Sequence, residues 1–250
     1  MAKQSGLGDQ LFIAGYDISG DVSTVALRKP SGVLDTTAIN ASGHERIYST
    51  VDGAIDFTTF FNDATLAGGA TNQEHFVLAA KGSGADRIVT YFHGSAIGNM
   101  AAGMTSKQIN YDGTRGQDGS FTFNIQALAN ATGLDYGEML TAGKRTDTSA
   151  TNGSSHNYGA ATANGLVAYL QVFSFSGTSC TVKIQQSSDN GGGDAFADLI
   201  TFTAATGITS ERKTTAAVTT AVEQYLRVVT TGTFSSCVFA VMASRFVDTL

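Results

Sequence analysis

Carboxylates are the side chains of this sequence whose spacing most directly suggests chemistry. Asp52 and Asp56 lie four residues apart at the start of the run GAIDFTTFF, and positions four apart in a strand share one face. Two carboxylates on one face can divide general acid and base work only where a cleft separates their pKa values. A solvated or pore-facing strand is the simpler interpretation of this pair.

Metal binding is the second chemistry to consider. The four histidines show no i, i+4 or other ligand spacing; they are His44, His75, His93 and His156. The Gly-rich run SSDNGGGDAFAD offers oxygen ligands for a calcium ion, namely Asp189, Asn190, Asp194 and Asp198. The EF-hand spacing with its bidentate Glu is missing, so a plain hairpin loop is favoured. The sequence therefore predicts no metal site.

Nucleophilic and phosphate-binding motifs give no better candidate. No serine fits Gly-x-Ser-x-Gly, and GEMLTAGKR has five residues between its glycines where a phosphate loop needs four. Cys180 and Cys237 lie in separate strand-like runs without Cys-x-x-Cys spacing, which is typical of small buried thiols in a reducing compartment. A disulfide between them stays open. No catalytic residue and no cofactor are predicted.

Composition limits the class of protein further. The 250 residues are 42% apolar and 14% charged, whereas charged residues make up about 25% of a usual soluble domain. Part of the surface is therefore expected to be covered by a partner. The net charge of −6 excludes a clamp that grips phosphates and suits a surface that nucleic acid passes without sticking. No extended apolar run or secretory start is present, so we expect no membrane partner.

Two β-rich parts with a break between them organise the chain. The first part alternates like strands in LFIAGYDIS, DVSTVALRK, GAIDFTTFF, RIVTYFHG, SKQINYD and SFTFNIQAL, and TNQEHFVLAAKG alone reads as helix. The second part reads as strands in GLVAYLQVFSFSG, SCTVKIQQSS, ADLITFTAA, SERKTTAA, EQYLRVVTTG and SCVFAVMASRF. This pattern predicts a mainly β protein, in which a sandwich closed by one helix precedes an antiparallel sandwich of immunoglobulin or jelly-roll size.

Three stretches between these runs lack strand or helix patterning. Residues 141–153 (TAGKRTDTSATNG) hold no apolar side chain larger than alanine, which is typical of an exposed linker. We therefore expect domains at 1–140 and 154–250. Residues 30–48 and 62–70 read as irregular, and the first of these is longer than a compact domain usually tolerates. We interpret it as an arm that binds a partner.

The first part resembles the major tail tube protein of long-tailed (siphovirus) bacteriophages, particularly those of actinobacteria. The resemblance lies in the run from RIVTYFHGSAIGNM to LDYGEMLTAG, preceded by LFIAGYDISGDVSTVALRK and GAIDFTTFFN. The second part, from GLVAYLQVFSFSG to SCVFAVMASRF, is similar to the extra β-sandwich on the outside of many such tubes. This resemblance implies a tail tube domain at 1–140 and a C-terminal decoration domain at 154–250.

What the resemblance implies is a structural virion protein, assembled in the host cytoplasm and located in the tail. Copies form stacked, hexameric rings, strands from each subunit join around an acidic lumen, and genomic DNA passes through it without specific binding. Tape measure and tail terminator proteins are the further partners that it implies. A long loop reaches the adjacent ring, and we assign to it Leu34, Asp35, Ile39, His44 and Arg46.

Strand alternation then selects the residues that face the lumen. In GAIDFTTFF, Asp56 and Thr58 share one face, and Ile55, Phe57 and Thr59 share the other. In SFTFNIQAL the lumen-facing residues are Thr122, Asn124 and Gln126, and the predicted core residues are Phe121, Phe123 and Ile125.

Two other functions compete with the tube subunit. A virion decoration protein that binds host-surface glycans would use aromatic side chains of the second part, for which the candidates are Tyr158, Phe173, Phe175 and Tyr225. The chain has no Trp, the commonest side chain that stacks on sugars, and these aromatics alternate like core residues. A tail-associated hydrolase is disfavoured by the missing catalytic motifs.

Overall fold

A computed structural model describes residues 6–62, 74–79 and 85–246, and these residues form 17 strands and one short helix. In the first half of the chain the elements are β1 (Gln10–Ile13), β2 (Tyr16–Asp17), β3 (Val22–Arg28), β4 (Ser31–Asp35), β5 (Arg46–Val51), β6 (Ala54–Phe60), α1 (Glu74–Ala79), β7 (Arg87–Phe92), β8 (Met100–Gln108), β9 (Asp112–Arg115) and β10 (Phe121–Ala129). In the second half they are β11 (Asp135–Met139), β12 (Arg145–Asp147), β13 (Asn152–Asn157), β14 (Val167–Ser187), β15 (Ala197–Thr201), β16 (Thr209–Thr214) and β17 (Tyr225–Ser244).

The predicted mainly β fold class is confirmed. Fifteen strands join into one antiparallel sheet whose main path runs β15-β14-β17-β11-β8-β10-β6-β3. β1 and β7 extend the sheet beside β8, and β12, β13 and β16 pair with the long strands β14 and β17. β4 and β5 form a separate two-stranded sheet.

β14 and β17 are much longer than the sequence runs predicted. The two runs expected on each side of a turn near 178 are one strand of 21 residues, and it pairs with a strand of 20 residues. Gly177 stands at a register shift of the ribbon and Gly232 stands opposite Cys180, with positive φ angles of 144° and 122°. A Cβ on Gly177 would collide with the Phe234 backbone, and one on Gly232 with the Ser179 carbonyl. Glycine thus marks a local distortion here, and the strand continues through it.

Each half of the chain has its own apolar core. The N-terminal core lies under β6, β7, β8 and β10, and its largest buried members include Leu11, Ile55, Phe57, Met104 and Ile125. The C-terminal core is built from side chains of β14, β15, β17 and the segments beside them, and it includes Leu170, Val182, Phe202, Leu226 and Phe239. Alternate residues of β14 supply the second core, as a strand buried on one face requires.

A third apolar layer joins the two halves. Near its start β14 is buried on both faces, and its second face carries Val167, Tyr169 and Phe173. These side chains pack against Phe12 of β1 and Phe92 of β7. Phe12 meets the rings of Phe92 and Phe173 edge-on, with centroids 5.3 and 4.7 Å away. The two halves therefore share one continuous core.

Buried polar side chains strengthen this junction. Gln171 is buried in the same layer, accepts a hydrogen bond from the Gly15 N–H (2.7 Å) and donates to the Ile88 carbonyl (3.1 Å). The Tyr169 hydroxyl donates to Asp135 (2.5 Å), and burial raises the pKa of this phenol. Because polar groups inside an apolar layer need partners, these bonds fix how the halves meet.

The prediction that residues 141–153 form an exposed linker is wrong. Thr141 and Asp147 are buried, and β12 and β13 pair with β17. The Arg145 guanidinium forms two hydrogen bonds with the Asp147 carboxylate, 2.8 and 2.7 Å long. The polar composition suggested an exposed linker, but β12 pairs with β17, a strand some 90 residues later in the sequence. A division into domains at 1–140 and 154–250 remains a proposal, as does the C-terminal decoration role.

The stretch from residue 30 to 48 is also more regular than predicted. It contains β4, the loop 36–45 and the first half of β5, and β4 and β5 pair from Ser31↔Val51 to Asp35↔Arg46. Alternation failed as a signal here because both faces of the hairpin carry apolar side chains. Of the second predicted loop, 62–70, all but residue 62 lies outside the described residues.

The predicted helix is present as α1. Leu78 is buried in the N-terminal core. The Arg87 guanidinium donates to the Val77 carbonyl (2.7 Å), and the Gln108 amide donates to the Leu78 carbonyl (2.7 Å). Side chains from β7 and β8 thus satisfy carbonyls in the last turn of the helix. The ends of the predicted helical run, residues 71–73 and 80–82, lie outside the described residues.

The shared layer predicts cooperative unfolding of the whole chain. Phe12→Ala removes a fully buried ring, and we expect it to lower the free energy of unfolding by about 3–5 kcal/mol. Val218→Ala, at an exposed loop position, serves as the control and changes stability by less than about 0.5 kcal/mol. Urea denaturation followed by circular dichroism and tyrosine fluorescence measures both. Two separate transitions, with Phe12→Ala moving only one, would contradict a shared core.

Candidate functional site

The five predicted lumen-facing residues lie together on one exposed face of the sheet. β10 pairs with β6 so that Asn124 stands opposite Thr58 and Gln126 opposite Asp56. Thr122 continues the same side of β10, and all five are partly or fully exposed. We call this surface, together with Thr24, Ala26 and Arg28 of β3 beside it, the polar sheet face.

Hydrogen bonds and one ion pair hold the polar sheet face in place. The Thr58 hydroxyl donates to the Asn124 side-chain oxygen (2.8 Å), and Arg28 forms an ion pair with Asp56. A groove of about 300 Å³ crosses the face between Thr24 and Gln126. The second carboxylate oxygen of Asp56 is buried there and has no hydrogen-bond partner in the described part of the chain. Arg28 offsets the charge of Asp56, so this patch is polar with little net charge.

The opposite side of the same strands belongs to the N-terminal core, with one exception. Ile55, Phe57, Phe123 and Ile125 are buried, as predicted. Phe121 was also predicted in the core, but its side chain is 40% exposed. It stands at the first position of β10, opposite Arg115 of the short strand β9.

The polar sheet face is bounded by two strands with one unpaired side each. β3 ends the main path of the sheet and pairs only with β6 among the described strands. β9, whose four residues are all exposed, pairs in the same described set only with β10. Backbone N–H and C=O groups along such edges are free to pair with another chain. The alternating sequence pattern did not indicate which strands lie at the edges.

The hairpin β4–β5 exposes apolar side chains on both of its faces. Leu34 and Ile47 are cross-strand neighbours on one face, and each is 53% exposed. Val33 and Tyr48 are neighbours on the other face, 51% and 80% exposed. A two-stranded hairpin is at most marginally stable alone in water. Two uncovered apolar faces therefore indicate a surface that packs against something else.

The remaining predicted arm residues lie toward the tip of the hairpin. Asp35 and Arg46 form its last strand pair, and Ile39 in the loop is fully exposed. The Asp35 carboxylate accepts a hydrogen bond from the Thr37 N–H (2.9 Å) and lies 3.2 Å from a His44 ring nitrogen. Hydrogen bonds from Thr37 hold the pKa of Asp35 below its usual value, with a smaller contribution from His44.

Sequence reasoning missed an exposed aromatic cluster at the far end of β6. Phe61 and Phe121 are 39% and 40% exposed, with ring centroids 5.3 Å apart. Phe123 lies beneath both, and Tyr111 stacks on Phe123 at 4.2 Å. We call these four residues the aromatic cluster. In the sequence, the adjacent Phe60 and Phe61 at the end of β6 could have indicated an exposed cluster. Strand alternation instead assigned Phe121 to the core.

No group of metal ligands assembles in the described part of the chain. His44, His93 and His156 lie apart, each beside a different carboxylate. The Asp189 carboxylate accepts hydrogen bonds from the N–H groups of Gly192, Gly193 and Asp194. Asp198 instead pairs with Lys183 (2.6 Å) on β14. The Gly-rich run 187–198 is thus a hairpin loop that its own acidic side chains hold together.

The two cysteines are free thiols buried in the C-terminal core. A hydrogen bond with Cys180 raises the pKa of Cys237, and burial raises it further. Both groups therefore act as small apolar core residues.

The aromatic residues considered for glycan binding mostly pack inward. Phe173 is buried in the shared layer, and Tyr158 and Phe175 pack against the C-terminal core. Arg245 covers the Tyr158 ring at 4.1 Å. These rings offer little open face for a sugar to stack on.

Several solved structures are similar to this chain in backbone arrangement. The tail of an empty gene transfer agent particle, determined with C6 symmetry, matches 54% of this chain and 98% of its own, at 12% identity and a TM-score of 0.41. The Dit protein of phage SPP1 matches 94% of this chain and 99% of its own, at 11% identity and a TM-score of 0.35. The phage p2 baseplate in its activated conformation with Sr matches 96% and 99%, at 11% identity and a TM-score of 0.34.

No protein-family model and no curated protein matches the sequence. Among the described residues, no helix is both long enough and apolar enough to cross a membrane.

The acidic hairpin loop gives a pH prediction. Hydrogen bonds from backbone N–H groups, above all that of Gly193, lower the pKa of Asp189. A group whose pKa is lowered by folding stabilises the folded loop above its unfolded pKa and loses this effect as pH falls through the folded value. We expect the Gly193 amide resonance in NMR spectra to move upfield below about pH 3.8, the ordinary Asp value.

Asp189→Asn is the test variant. Because an amide side chain does not titrate, the pH-dependent shift of the Gly193 amide resonance should disappear. Asp198→Asn, on β15, is the matched control and should leave the Gly193 titration in place. A Gly193 amide that titrates equally in both variants would disprove the role of Asp189.

Proposed function

We propose that this chain is a structural protein of a bacteriophage tail, which self-assembles into stacked, hexameric rings that form the tail tube. The two unpaired strand edges beside the polar sheet face are the observation that carries this proposal. An open edge recruits another chain unless it is blocked by charge, proline or a covering element. On this chain the edges at β3 and β9 border one surface, as ring closure requires.

Lateral pairing would join β9 of one copy to β3 of the next. Each junction satisfies the free N–H and C=O groups of two edges, and a closed ring leaves none of them unpaired. The polar sheet faces then form one continuous inner surface. Its residues would line the lumen, namely Asp56, Thr58, Thr122, Asn124 and Gln126.

The chemistry of the polar sheet face suits a channel for DNA. Thr58 and Asn124 hydrogen-bond to each other, and Arg28 neutralises Asp56, so few groups are free to bind phosphate. The acidic balance of the whole chain adds general repulsion of a polyanion. DNA would therefore pass without specific binding during ejection.

The hairpin β4–β5 would make the contact between rings. Its exposed apolar pairs need a cover that the described part of the chain does not supply. Leu34, Asp35, Ile39, His44 and Arg46 would accordingly meet a neighbouring copy. Tape measure and tail terminator proteins are the further partners of such a tube, which would assemble in the host cytoplasm and remain in the virion tail.

The glycan-binding alternative has less support, because Phe173, Phe175 and Tyr158 are used for packing. We assign no enzymatic role to the chain.

Electron microscopy of the concentrated full-length chain tests the proposal, and we expect rings or hollow tubes. Thr24→Lys on β3 and Thr114→Lys on β9 place charge at the open edges and should raise the concentration needed for assembly at least about tenfold, equivalent to about 1.4 kcal/mol. Thr201→Lys, exposed on β15, is the control and should assemble like the wild type. A wild-type chain that stays monomeric at high concentration in sedimentation velocity overturns the proposal.

A further inference from the structure

The hairpin and the aromatic cluster lie at opposite ends of the same two strands. β3 and β6 pair from Arg28↔Ala54 to Val22↔Thr59. The hairpin connects β3 to β6 beyond the first of these pairs, and Phe61 follows β6 beyond the second. Ala54 and Phe60 are six positions apart in β6, which at roughly 3.3 Å per residue is about 20 Å. The hairpin stands away from this far end and covers none of the aromatic cluster.

One face of the hairpin combines an apolar pair with a free acid. Leu34 and Ile47 are neighbours on this face, which we call the Leu34 face. Glu45, two residues before Ile47, extends the same side, and its backbone still bonds to Thr36 across the hairpin (2.9 Å). The Glu45 carboxylate has no ion-pair partner among the described residues. The Leu34 face is therefore apolar with a negative border.

The aromatic cluster has the complementary composition. Phe61 and Phe121 present their exposed rings above the buried Phe123, which keeps them in place. Arg115 stands opposite Phe121 in the β9–β10 pair and is exposed. Its guanidinium, like the Glu45 carboxylate, lacks an ion-pair partner in the described part of the chain. The cluster is therefore apolar with a positive border.

Charge also decides between the two faces of the hairpin. The opposite face carries Val33 and Tyr48 with Arg46 between Tyr48 and the tip. Asp35 on that face is already engaged by His44 and Thr37. Arg46 would thus meet Arg115 with the same sign, and like charges across an interface are unfavourable. The Leu34 face is the one that fits.

We propose that the Leu34 face of one copy docks on the aromatic cluster of a second copy, with Glu45 paired to Arg115. The two surfaces differ and lie at opposite ends of β3 and β6, so the contact is head-to-tail. Repetition of a head-to-tail contact without rotation to closure produces an open stack. This inference rests on the proposed function, because it names the surfaces through which one ring would contact the next.

Charge reversal in the full-length chain tests the pairing. Glu45→Arg and Arg115→Glu should each weaken association at least about tenfold, as measured by sedimentation velocity and by tube length in negative-stain images. The double variant, with both substitutions, restores the opposite charges and should recover association to within about threefold of the wild type. Arg46→Glu, on the other face of the hairpin, tests the specificity of the pair: adding it to Arg115→Glu should not restore the association that Arg115→Glu loses.

Cysteine cross-linking provides a second measurement. Cys180 and Cys237 are buried, so introduced thiols dominate the reaction. A mixture of Glu45→Cys and Arg115→Cys chains should give a disulfide-linked dimer under mild oxidation, and neither variant should give it alone. An assembling wild type whose double reversal is not rescued, or whose mixed thiols do not cross-link, overturns this inference and leaves ring formation standing. A wild type that does not assemble overturns the proposed function itself.

Discussion

Burial of both faces of the β14–β17 ribbon is the constraint on which the architecture depends. Val167, Tyr169 and Phe173 point to one side of β14, and Ala168, Leu170 and Val172 point to the other. Both sides must be covered, because water would otherwise meet a continuous apolar surface. The C-terminal core covers one side and the N-terminal half covers the other. The ribbon is thus the element through which the two halves of the chain contact each other.

The remainder of the surface is less completely covered. β3 and β9 leave backbone groups unpaired, and the hairpin leaves Leu34 and Tyr48 exposed. These features sit in the N-terminal half, away from the shared layer. The assembly contacts that we propose therefore all lie in the N-terminal half.

The geometry of a sheet separates two directions of contact. Unpaired edges extend along the hydrogen-bonding direction, whereas the hairpin and the aromatic cluster lie along the strand direction. In the proposed tube, growth in the first direction would close a ring, and growth in the second would stack rings. Under this proposal one sheet would supply both axes of a tube, and its polar sheet face would line the inside.

Period-two patterning determined the mainly β class and the division of β6 and β10 into a polar and an apolar face, because both depend on local alternation. The helical pattern of residues 71–82 located α1. The order of the strands depended on tertiary structure. Pairing of β12 with β17 turned a polar stretch into buried structure, and the end of β10 left Phe121 exposed. Which strands become neighbours decides where the open edges, the hairpin with two apolar faces and the aromatic cluster lie. The local sequence of a strand does not identify a partner that is distant in the chain.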